Sequence, residues 1–148
     1  MQTIAKTNKN QVHFEIGEIF ASEIESRIYK QSQTTRIDKI FEKGFVNRGG
    51  GVFSPAALSM ACHGKYYDET VFFLKVVVQG NFALSGDSRF FDTVLSNEAQ
   101  KILLSYLRSV IISVCSASNI TPIVIGLLDP SKVPDKIKIQ EQISTIFD

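Results

Sequence analysis

The chain has 148 residues, 44% of them hydrophobic and 21% charged, which suits one folded domain with a single core and excludes a disordered chain. With 16 lysines and arginines against 15 acidic residues the formal net charge is +1, so no electrostatic case arises for nucleic acid or an acidic membrane surface. The opening MQTIAKTNKNQ lacks the apolar core and cleavage pattern of a secretory signal, and the most apolar run, ILLSYLRSVIISV at 102–114, is too short to span a bilayer and carries Arg108. A cytoplasmic protein without membrane insertion is expected.

Residues 1–10 read as a flexible polar leader to one domain spanning 1–148. From there VHFEI at 12–16 alternates apolar and polar residues, the period of a half-buried strand. The alternation slips where Ile19 and Phe20 adjoin and resumes at Ile24, Ser26 and Ile28, which predicts a bulge and a bent strand. The mixed stretch 31–52 reads as a loose crossover with a short strand near 37–46, ended by the break Arg48-Gly49-Gly50-Gly51. In VFSPAALSMACHGKY (52–66), Leu58, Met60 and Cys62 point inward and Ser59, Ala61 and His63 outward, with Pro55 confined to an edge or a strand start. A turn at Tyr67-Asp68-Glu69 leads into a strand from Thr70 to about Leu84, and Ser85 to Ser88 closes the sheet region, 11–86.

From Ser96, read as an N-cap with Glu98 in the first turn, the period becomes helical and holds across 96–118. Two apolar stripes run along this helix: Ala99, Leu103, Tyr106, Val110, Val114 and Ala117 on one side, Leu104, Leu107, Ile111 and Cys115 on the other. An apolar loop with Pro122 and Pro130 follows, and Pro134-Asp135 is expected to open a terminal helix, 134–148, whose Ile139, Ile143, Ile146 and Phe147 share a face. The order is α+β: a four-stranded antiparallel sheet followed by two C-terminal helices on one of its faces.

Chemistry is scarce in this sequence. Gly49 to Gly51 is not followed by Lys-Ser or Lys-Thr, no G-x-S-x-G elbow occurs, and Cys62 with His63 would point to opposite faces of a strand. Cys62 and Cys115 read as buried reduced thiols. No catalytic site, metal or cofactor is assigned, and the protein is not expected to be an enzyme.

Surplus apolar surface is the stronger signal. The strand VFFLKVVVQGNF (71–82) carries Phe72, Leu74, Val76 and Val78 on one face and Val71, Phe73, Lys75 and Val77 on the other. Burying such side chains stabilises by roughly 1.5–3 kcal/mol each. Two helices cannot easily cover both faces of the sheet, so self-association is expected, with the stripe Leu104, Leu107, Ile111 and Cys115 as the oligomer interface.

Three segments resemble the SecB family of export chaperones. FEIGEIFASEIES (14–26) is similar to that family's opening strand at Phe14, Ile16, Ile19, Phe20, Glu23 and Ile24. DETVFFLKVVVQGNFALSG (68–86) resembles its central hairpin at Thr70, Phe72, Val76, Gly80, Phe82 and Gly86, and 102–114 its long helix at Ile102, Leu103, Tyr106, Arg108 and Ile111. The resemblance implies a non-enzymatic homotetramer, a dimer of dimers, that wraps unfolded polypeptides along apolar grooves. Carried onto this chain, it names Ile37, Phe41, Phe45 and Phe53 on one side of a groove and Ile125, Leu127 and Leu128 on the other. It also names a partner-docking sheet face, Glu23, Arg27, Val71, Phe73, Lys75 and Val77. That face is acidic in the family, where it docks the translocation motor SecA, whereas Arg27 and Lys75 reverse the charge here. GLLDP (126–130) replaces the family's proline-rich stretch after the long helix, and no tail follows the last helix. The expectation is a chaperone dedicated to a particular client, such as a labile antitoxin, with SecA docking doubtful; the alternative is an oligomeric scaffold that binds one folded partner.

Overall fold

The computed structural model describes residues 2–7, 10–120, 123, 129 and 135–143. Six strands form one antiparallel sheet in the order β1-β2-β5-β4-β3-β6, from β1 (Gln2–Thr7), β2 (Asn10–Ile28), β3 (Arg36–Phe45), β4 (Phe53–Tyr66), β5 (Glu69–Gly86) and β6 (Lys136–Gln142). A short 3-10 turn at Ser88–Phe90 leads into α1 (Phe91–Ser96) and α2 (Glu98–Ser118), which lie on one face of the sheet. The α+β class and the antiparallel sheet agree with the sequence reading, whereas the strand and helix counts need correction.

The expected leader is a strand at its core: Gln2–Thr7 pairs with Asn10–Glu15, from Thr7 opposite Asn10 to Gln2 opposite Glu15. The short strand expected near 37–46 is β3, paired along its length with β4. The expected terminal helix is β6, because KIKIQ alternates apolar and charged residues at period two, a strand signal that outweighs the helix-opening Pro134-Asp135. Ile143, half-buried, lies just past β6, and Ile146 and Phe147 fall outside the described residues. Ser96 closes α1 instead of opening the long helix: its hydroxyl donates to Thr93 O at 3.2 Å, and Asn97 interrupts the helical run. By length and composition Ser88–Ser118 is apolar enough to cross a membrane, yet its buried side chains are spent on the chain's own sheet and Lys101 and Arg108 lie along it.

Two bulges bracket the slip read at Ile19-Phe20, one between Ile16 and Ile19 and one between Ala21 and Glu23. Each inserts one residue, so Ile16, Ile19, Ala21 and Ile24 all reach the helix side despite their uneven spacing. In β4 and β5 burial alternates as expected: Leu58, Met60 and Cys62, with Leu74, Val76 and Val78, enter the core, where Leu103, Leu107 and Ile111 of α2 meet them.

One residue departs from the alternation. Gly64 stands opposite Phe72 and Lys65 opposite Thr70, which leaves Val71 as the extra residue of a bulge, and both Val71 and Phe72 turn inward. The Val71 carbonyl accepts from the amides of Tyr29 and Lys30 at 2.9 and 3.2 Å, tying down the end of β2. The Phe72 ring then lies across Gly64, where an added Cβ would sit 2.0 Å from a ring carbon. Gly64→Ala displaces that buried ring and is expected to destabilise the fold by about 1–3 kcal/mol in urea unfolding, with an unchanged m-value.

Candidate interaction surfaces

The described residues leave the sheet face opposite the helices uncovered. Three cross-strand pairs lie on it, Glu23 with Val77, Glu25 with Lys75 and Arg27 with Phe73. Beside them Ala57, Ser59 and Ala61 of β4 make a floor of small side chains, walled by Phe73 and Val77 on one side and Ile40 on the other. The result is a shallow concavity of about 410 Å³. Its charges are matched in pairs: Lys75 Nζ lies 3.5 Å from Glu23, and Arg27 Nε 2.8 Å from Glu25. Five of the six residues named for a docking face therefore meet here. Val71 does not: it is 1% exposed on the helix side, because the bulge shifts it off the alternation.

A second surface flanks α2. The stripe expected to meet another copy, Leu104, Leu107, Ile111 and Cys115, is instead buried against this chain's own sheet. Among the described residues the sheet has one helical layer, so the stripe nearest it goes inward. The outward flank is Tyr106, Val110, Val114 and Ala117, of which Val110, Val114 and Ala117 line a groove with Ile24 of β2, itself 53% exposed. The hydroxyls of Ser109 and Ser113 donate to the carbonyls one turn back, at 3.4 and 3.1 Å, so they make few polar demands on whatever lies in this groove. The groove runs along an open sheet edge: β1 pairs with β2 only as far as Glu15, and no described strand pairs with that side of β2 from Ile16 to Ile28.

The residues named for a peptide groove separate. Ile37 and Phe41 are buried on the helix side of β3, Phe45 is half-buried on the same face, and Phe53 stands on the opposite face. The Phe53 ring is 45% exposed and leans over Gly17 at the first bulge of β2. Ile125, Leu127 and Leu128 lie outside the described residues. Between Ile37 and Phe41 sits a residue the sequence reading passed over. Lys39 points inward, 4% exposed, and its ammonium donates to Glu141 of β6 at 2.5 Å. The alternation of RIDKIFE places Lys39 on the apolar face; its partner was hidden because residues 136–142 read as helix.

Among the described residues no group of three His, Cys, Asp or Glu side chains is arranged to hold a metal. The two cysteines are free and buried, and burial pushes the Cys62 thiol up to about 12, with Cys115 adding to the effect. Burial also raises Cys115. Neither thiol has the lowered pKa of a nucleophile.

No family model matches the chain, and no curated protein does. Among solved structures its fold is similar to that of a SecB-like chaperone from Mycobacterium tuberculosis in complex with a ChAD peptide from the HigA1 antitoxin. The two share 12% sequence identity at a TM-score of 0.61, over 78% of this chain and 91% of that one. The chain has a divergent SecB-like fold.

Two consequences are measurable. The Lys75–Glu23 pair is solvent-accessible, and such pairs contribute about 0–1 kcal/mol. Lys75→Glu is therefore expected to change stability by less than about 1 kcal/mol while making the outer face acidic. Cys62 keeps its proton in the folded chain but loses it in the unfolded chain above its ordinary value of 9.0. The unfolded state then binds fewer protons, so stability falls as pH rises from 9 toward 12, by at most about 1.4 kcal/mol per pH unit. Urea titrations between pH 8 and 10.5 should show a shallower fall for Cys62→Ala than for the unaltered chain, whatever the offset between them.

Proposed function

We propose that this chain is a SecB-like chaperone that holds non-native polypeptide, works as a homo-oligomer and catalyses no reaction. The observation that carries this reading is the amount of accessible apolar surface on a SecB-like fold: the α2 flank with Ile24, and the open edge of β2. A binding surface for unfolded chains needs apolar contact and backbone pairing without a demand for one sequence. The structural neighbour, a chaperone in complex with an antitoxin peptide, supports the same class of ligand and a client-dedicated role, and the proposed compartment is the cytoplasm. The groove named by Ile37, Phe41, Phe45, Ile125, Leu127 and Leu128 is the proposed client side.

Self-association falls to the α2 flank and the β2 edge, which together offer an apolar stripe and unpaired backbone to a second copy. A dimer of dimers is the proposed assembly, with several client sites on one particle adding avidity. The outer face is the proposed surface for a folded partner through Glu23, Arg27, Phe73, Lys75 and Val77. Its matched charges provide no acidic field to steer a basic motor protein, so SecA docking is not part of the reading.

Light scattering of the purified chain is expected to give a multiple of the 16.5 kDa subunit. Val110→Asp with Val114→Asp should reduce that mass without loss of secondary structure. Substoichiometric oligomer should suppress aggregation of a chemically unfolded protein. A monomer at tens of micromolar that leaves aggregation unchanged at every ratio would overturn the proposal.

A further inference from the structure

Three observations set β6 apart from the rest of the sheet. It is the last strand, and β3 is its ladder partner, from Arg36 opposite Gln142 to Glu42 opposite Lys136. The ladder is extended at both ends, by the Lys43 amide donating to Asp135 O at 2.8 Å and the Ile143 amide donating to Thr35 O at 2.9 Å. Side-chain burial within β6 is slight: Ile137 and Ile139 are half-buried and the other five residues are exposed. Beneath it, by contrast, Ile37, Lys39 and Phe41 of β3 are nearly fully buried. β6 closes the backbone edge of β3 and sets its half-buried Ile137 and Ile139 beside Phe41 and Lys39.

Backbone pairing, two apolar side chains on alternate residues and one acid two positions further on are all that β6 brings to this edge. Ile137 stands opposite Phe41 and Ile139 opposite Lys39, while Glu141, opposite Ile37, reaches diagonally to the Lys39 ammonium. Any extended segment of the form apolar-x-apolar-x-acidic reproduces those contacts. The acid is the selective element, because Lys39 is buried among apolar side chains and a strand with a cation at that position sets two like charges together.

We propose that β6 is a built-in stand-in for the client: it occupies the β3 edge that takes an extended apolar-x-apolar-x-acidic segment, and a client displaces it. The inference rests on the chaperone reading and gives it a site and a sequence preference. A tethered strand competes at a high effective concentration, so the edge stays covered until a client supplies more contact than seven mostly exposed residues.

The probe is a fluorescein-labelled peptide of residues 135–143, DKIKIQEQI, and a second peptide with Lys in place of its Glu. Anisotropy titrations use the full chain and its Glu141→Lys variant, in which β6 sets a cation against Lys39 and loses the edge. The variant is expected to bind the first peptide at least tenfold tighter than the unaltered chain does, and at least tenfold tighter than it binds the second peptide. Equal affinity for the two chains, or for the two peptides, overturns the inference. Hydrogen exchange on the unaltered chain needs no variant to fold: adding an unfolded client should deprotect the amides of 136–142 while β4 and β5 stay protected. A client held without that deprotection sinks the stand-in strand and leaves the chaperone reading intact. A chain that holds no client, yet takes up the peptide as Glu141→Lys, sinks the chaperone reading and leaves the exchangeable edge.

Discussion

Among the described residues one helical layer lies on a sheet that has two faces and two edges, and most of the molecule follows from that inequality. The helix side of the sheet takes Leu103, Leu107 and Ile111 into a closed core with Leu74, Val76 and Met60. Nothing among the described residues does the same for Phe73 and Val77 on the other side. The chain moderates this outer face by placing small residues, Ala57, Ser59 and Ala61, next to the large ones, and by pairing Arg27 and Lys75 with acids. Apolar area is thereby lowered without making the face fully polar, which suits a surface that meets a partner part of the time.

The length of β2 is the second controlling feature. A 19-residue strand laid straight would run far past the core, and its bulges bend it while returning Ile19, Ala21 and Ile24 to the helix side. Because β1 is short, the far half of β2 has no partner strand among the described residues on the edge beside the outward flank of α2. An apolar groove and open backbone groups at one place are what both a second subunit and an extended peptide need. The two edges differ here: among the described residues that of β2 is open from Ile16 to Ile28, whereas that of β3 is filled by β6.

What the sequence made legible was periodicity, and what it hid was competition between partners. The alternation of Leu58, Met60 and Cys62 is visible because β4 is flanked on both sides and follows one period throughout. Val71 was misplaced because one inserted residue shifts a strand by a full face, and the bulge that inserts it depends on Gly64 of the neighbouring strand. The two stripes of α2 were both readable, but which one faces the sheet depends on how the helix sits, which periodicity does not encode; Leu104, Leu107, Ile111 and Cys115 went inward. The terminal segment was missed for a different reason. Ile139 and Ile143 fit a helical spacing and Ile137 with Ile139 fit a strand, so a run of seven residues supports both readings until the edge of β3 selects one.

The Lys39–Glu141 pair shows how that selection is enforced. The ammonium is buried but the carboxylate is exposed, so the desolvation of Lys39 and solvent screening at Glu141 leave the pair little net stability. Its value lies in register. Sliding β6 by one residue turns Ile137, Ile139 and Glu141 to the other face and puts Lys138 and Gln140 over the core, with Lys138 brought toward Lys39. Sliding by two so that Glu141 passes Ile37 toward Thr35 keeps the isoleucines on the correct face but moves the acid away from the ammonium. Hydrophobic pattern alone would tolerate that second slip; the charge does not. An edge so marked accepts strands by their alternation and discriminates among them by one carboxylate, which is a loose requirement for a whole client and a strict one for alignment.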